Sequence, residues 1–141
     1  MTTLADLKTR IEVIEETYEF MLAYAAQGLD GDEGNKAGGQ LRDFLVKADE
    51  AVVKLSPEFR ALVSSEGLEP ADKYEAFIDV IEQDARAASA GLQLVLAQES
   101  IGSQLIDNMN ASIHLRALLT DLFLIDDILK RALSKRCAGF R

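Results

Sequence analysis

LADLKTRIEVIEETYEFMLAYA, Leu4 to Ala25, sets Leu4, Leu7, Ile11, Ile14, Tyr18, Met21 and Ala25 at successive spacings of 3, 4, 3, 4, 3 and 4 residues. That spacing places these seven side chains on one stripe of an α-helix, the seam of a helix packed against other helices. Thr3 precedes the stripe and Asp6 follows three residues later, so a hydroxyl is available to cap a first-turn amide and an acid to complement the positive helix end. A β-strand has a period of two and cannot carry this pattern.

Working outward, the same period recurs three times. A second segment, about Gly39 to Leu55, carries Leu41, Phe44, Leu45, Ala48, Val52 and Leu55. Ser56-Pro57 then interrupts it. Proline lacks the amide hydrogen and disfavours helix in the residue before it, while Ser at N-cap and Pro at N1 suit a new short helix with Phe59, Leu62 and Val63. A third segment, near Pro70 to about Gln98, has Tyr74, Phe77, Ile78, Ile81, Ala85, Ala88, Leu92 and Val95 at helical spacing. A fourth runs from about Ser103 to Lys135. With no convincing strand, these segments predict one all-α domain over residues 1–141, an antiparallel four-helix bundle with a short extra helix after Pro57.

The glycine-rich stretch GLDGDEGNKAGG, Gly28 to Gly39, begins like a calcium loop. Counted from Asp30, however, position 5 is Gly34, position 6 is Asn35 and position 12 is Leu41, where a calcium loop needs an oxygen ligand, a glycine and a bidentate Glu. Its composition predicts a mobile, metal-independent connection.

The chain of 141 residues has a net charge of −9, but Lys130, Arg131, Lys135, Arg136 and Arg141 cluster at the end with no acid among them. The first 129 residues therefore carry −14, five units more negative than the whole. An acidic body disfavours nucleic acid, whose binding depends on Lys and Arg at phosphates. No apolar run approaches the roughly 20 residues that span a bilayer, and the polar start lacks the apolar centre of a signal peptide. With a single cysteine, Cys137, incidental in role, these features predict a cytoplasmic protein without disulfides.

Helix one also carries Glu12, Glu15, Glu16 and Glu19. The Glu-Glu-x-x-Glu pattern at Glu15, Glu16 and Glu19 is similar to the metal-binding motif of MazG-like, all-α nucleotide pyrophosphohydrolases. The resemblance implies carboxylates holding magnesium against a phosphate chain. That family's Glu-x-x-Asp element has its local match at Glu69 and Asp72, on either side of Pro70. Periodicity supplies the alternative: the four acids fill the wedge of the helix left to water. His114, the only histidine, opens HLRALLT, which loosely resembles a histidine-kinase H-box; one histidine is too few for a di-iron bundle built on paired Glu-x-x-His elements.

Segment four is apolar around most of its circumference, through Leu115, Leu118, Leu119, Leu122, Phe123, Leu124, Ile125, Ile128 and Leu129. A helix of this kind is covered on most sides. The expectation is a homodimer or larger assembly, with Leu122, Phe123, Ile125 and Asp126 at the partner interface. Asp126 falls within the apolar seam and therefore needs a cation, Lys130 being four residues on. The functional expectation is a non-catalytic interaction protein, a regulator, adaptor or assembly factor that binds another protein through helical faces and uses no cofactor. The alternative is the magnesium-dependent pyrophosphohydrolase.

Overall fold

The computed structural model describes residues 2–139, with side chains described as far as Lys135, and it is all-helical. The side chains of Arg136 and Cys137, and Arg141 altogether, lie outside the described part. The elements are α1 (Leu4–Ala26), α2 (Lys36–Glu66), α3 (Ala71–Leu96), α4 (Ser103–Ala111) and α5 (His114–Gly139). Among the described residues no helix is long and apolar enough to cross a membrane.

α1 begins where the sequence places it. The Thr3 hydroxyl accepts from the Asp6 amide at 3.2 Å, and the Asp6 carboxylate accepts from the Thr3 amide at 2.9 Å, a reciprocal cap. Leu7, Ile11, Ile14 and Met21 are buried, but Thr17 and Tyr24 are buried as well, ahead of Tyr18 and Ala25. A straight helix has 3.6 residues per turn, so a strict seven-residue stripe drifts by about 20° per heptad and the buried line slips back one residue. Thr17 tolerates burial because its hydroxyl donates to the Val13 carbonyl at 2.8 Å and contacts the Phe44 carbonyl at 3.2 Å.

α2 corrects the expected break. It continues through Pro57, and no separate helix follows that residue. Leu41, Leu45, Ala48, Val52, Leu55, Phe59 and Leu62, all buried, form one uninterrupted seam at spacings of 4, 3, 4, 3, 4 and 3. Pro57 sits on the exposed side, so the amide bond it omits is one that water can replace, and burial of the residues beyond it holds the helix together. Gly67 ends α2 at φ 58° and its amide reaches the Ser64 and Val63 carbonyls.

The fourth segment is also corrected: it is two helices. Ile113 sits at φ +65° between α4 and α5. The local sequence NMNAS holds α4 weakly, since Asn and Ser compete with the helix for backbone groups. Ser112 donates to the Met109 carbonyl at 2.6 Å, and the Asn110 amide donates across to the Met21 carbonyl at 3.3 Å.

Cross-helix pairs fix the directions. Arg10 meets Glu58 and Thr17 meets Phe44, so α1 and α2 are antiparallel. Arg60 meets Glu75 and Asp79, whereas Asp49 meets Ser89, so α2 and α3 are antiparallel too. α1 packs against α2, α4 and α5, and α3 packs against α2 and α5. One apolar core draws on all five helices.

The glycine-rich connection, expected to be mobile, is tied down by hydrogen bonds and an ion pair. α2 already starts at Lys36, capped by the Asn35 side chain, which accepts from the Gly38 amide at 2.6 Å. Asp32 is buried, receives the Arg42 guanidinium and accepts from the Ile101 amide at 2.6 Å. Arg42, then the Ile101 amide, hold its carboxyl below the ordinary range against the opposing effect of burial. Arg42 also donates to the carbonyls of Leu96, Gln98 and Glu99, capping the end of α3. The Tyr24 hydroxyl donates to the Ile101 carbonyl at 2.7 Å, and Leu29 and Ser103 exchange two bonds of 2.8 Å. The two connections, 27–35 and 97–102, are thus clasped together. Gly38 serves close approach, because a Cβ there would overlap the Asp32 carbonyl.

Candidate interaction surface

Of the residues expected at a partner interface, Leu122 (0% exposed) and Ile125 (2%) lie in the chain's own core. Their cover comes from α1 and α3 of the same chain, which flank α5 on two sides, and this removes the need for a second subunit over them. Phe123 remains outside at 51% exposure. Leu124 (52%) and Ile128 (41%), which point away from the seam, are also exposed.

Asp126 is half-buried on the α1 side and pairs with Lys130 at 3.2 Å, while Asp127 pairs with Arg131 at 3.5 Å in the open. The seam placement of Asp126 therefore holds, but the Lys130 head is half exposed, so water already compensates the cation and the pair contributes little. The other oxygen of Asp126 is buried without a hydrogen-bond partner. Across on α1, burial, then Glu19, Glu12 and Asp126, push the Glu15 carboxyl up. Glu12, Glu16 and Glu19 are exposed. Among the described residues no group of three or more His, Cys, Asp or Glu side chains is arranged to hold a metal ion. His114 is exposed at the first position of α5.

On the α3 side, Leu124, Ile125 and Ile128 form one bank of an apolar groove of about 340 Å³ whose other bank is Pro70, Lys73, Tyr74 and Phe77. Towards the end of α5 it opens into a second depression of about 530 Å³, sharing Tyr74 and Ile128 and bordered by Gly67, Leu68, Glu69, Arg131, Ala132 and Lys135. The two make one trough. Along it Tyr74 and Phe77 are only partly covered, and Leu124 and Ile128 are exposed. Beyond the trough, Asp121 of α5 lies against Asp84 of α3, and burial followed by the Asp84 carboxyl pushes Asp121 up to about 7. One Asp121 oxygen is buried with no other partner.

Sequence reasoning missed Tyr74 and Phe77 as surface residues, because their spacing assigns them to the core. The available signal was on α5: with Leu115 at zero on a wheel of about 100° per residue, Leu124 falls near 180° and Ile128 near 220°, opposite the seam. No protein-family model matches this chain, and no curated protein or solved structure matches it significantly.

Proposed function

We propose that the chain is a non-catalytic interaction protein that binds another protein through a helical face, as a regulator, adaptor or assembly factor. In this reading α1, α2 and α3 are three members of an antiparallel four-helix bundle and α4 with α5 make up the fourth. The observation that carries it is the exposed apolar strip of Leu124 and Ile128 beside the partly covered Tyr74 and Phe77, where several large apolar side chains line one groove. Contiguous apolar surface of this kind is costly in water and marks binding sites. The four glutamates of α1, by contrast, turn three of their members, Glu12, Glu16 and Glu19, to water.

The partner is a second copy of the chain or a different protein, and sedimentation at micromolar concentration separates the two. Two-fold dimers are the commonest assembly. The enzymatic alternative is tested by incubating the chain with a panel of nucleoside triphosphates and magnesium. No pyrophosphate release is expected; release that disappears in Glu16→Gln would overturn the proposal.

A further inference from the structure

We propose that the trough between α3 and α5 receives an acidic amphipathic helix from a different protein. This rests on the interaction reading and narrows it to one site and one kind of partner.

Shape comes first. From Leu124 to Lys135 the α5 bank extends about 16 Å at 1.5 Å per residue, three helical turns. A helix satisfies its own backbone groups and can lie on an apolar floor without leaving amides unpaired, and the described residues of this chain offer no strand edge for an extended peptide. Side chains at i, i+3 or i+4, and i+7 of an incoming helix match a floor of that length.

Charge comes second. Lys73, Arg131 and Lys135 border the trough against one acid, Glu69, on a chain whose first 129 residues carry −14. The side chains of Lys73 and Arg131 are 79% and 77% exposed, and among the described residues they pair with Asp72 at 3.8 Å and Asp127 at 3.5 Å. Exposed pairs of that kind are weak and exchange readily for a better partner. An acidic helix meets attraction along this border and repulsion over the rest of the body, which fixes where it docks.

The same observations disfavour a second copy. Two troughs face to face would oppose Lys73, Arg131 and Lys135 with one another. The acidic ridge of α1 supplies Glu12, Glu16 and Glu19 but only Leu22 as a large exposed apolar side chain, since the rest of its apolar stripe is in the core. It lacks the anchors to fill the floor.

The test uses the full chain and two synthetic helical peptides of about 18 residues, identical in a leucine stripe and differing only in glutamate or lysine flanks, titrated by fluorescence anisotropy. The glutamate peptide is expected to bind about tenfold more tightly than the lysine peptide, with the preference shrinking in high salt. Leu124→Ser with Ile128→Ser should lose at least about tenfold in affinity at unchanged helical circular dichroism, and Lys73→Glu with Arg131→Glu and Lys135→Glu should reverse the peptide preference. Tighter binding of the lysine peptide at the same trough sinks the acidic partner while leaving the interaction reading standing. Failure of both peptides, stronger binding to phosphatidylserine vesicles than to the glutamate peptide, or self-association abolished by the serine pair each overturns the inference. The interaction reading itself stands or falls on the triphosphate assay.

Discussion

Two neighbouring glycines have opposite duties. Gly38 is buried with the Asp32 carbonyl where a Cβ would be, whereas nothing lies within 4 Å of a Cβ at Gly39. Gly38→Ala should destabilise by more than about 2 kcal/mol because backbone, not a flexible side chain, must yield. Gly39→Ala, inside α2, should stabilise by about 0.5–1 kcal/mol by restricting the unfolded chain. Urea denaturation of both variants reads the contrast, and equal effects would contradict the clasp geometry. Asp121 makes a second case. Its carboxyl is raised from 3.8 in the ordinary state to about 7, so the folded protein holds a proton that the unfolded chain releases. The stability this brings is complete below the unfolded value and is lost as pH rises through about 7. The urea midpoint should therefore fall between pH 5 and pH 8. Glu15, also raised by burial and like charge, acts in the same direction, so the wild-type curve must be compared with Asp121→Asn. That variant should flatten the slope and be more stable than wild type at pH 8 by about 1 kcal/mol. A slope unchanged by the substitution would remove Asp121 as its source.

Helix ends and interruptions show what the sequence made legible. The start of α1 and most of the core positions of α1, α2 and α3 follow from period and capping chemistry alone. Pro57 misleads because its rule is local while the seam is not: residues 41 to 62 keep one phase across it, and that phase is the better evidence. The break at Ile113 is the reverse case, with apolar period on both sides and two asparagines and a serine, which compete for backbone groups, between. An isoleucine at positive φ carries backbone strain of about 1–2 kcal/mol, and at 53% exposure it gains little from burial. Ile113→Gly should relieve that strain and stabilise the chain by up to about 1 kcal/mol in urea titrations. Destabilisation would mean that α4 and α5 are one helix in solution. The interaction surface was half legible: the all-round apolar character of α5 pointed to contact on several sides, but sequence alone cannot divide that circumference between neighbours in the same chain and a partner.

Viewed as a whole the molecule has two unlike poles. At one, Arg42 and Asp32 bind the two connections to each other; at the other lie the start of α1, the turn after α2 and the end of α5 with its trough. Arg42→Ala leaves Asp32 buried without its cation and three carbonyls without a donor, and should lower stability by about 2–4 kcal/mol. Hydrogen exchange should accelerate first at the Ile101 amide, which Asp32 holds; protection unchanged there would show that the clasp is incidental. The placement of both α1's start and α5's end at the open pole also sets how the chain answers mechanical load. Tension applied at those two points pulls antiparallel neighbours apart from the same end. Their contacts then peel one helical turn at a time instead of shearing together, and the clasp, farthest from the applied force, is the last part to feel it.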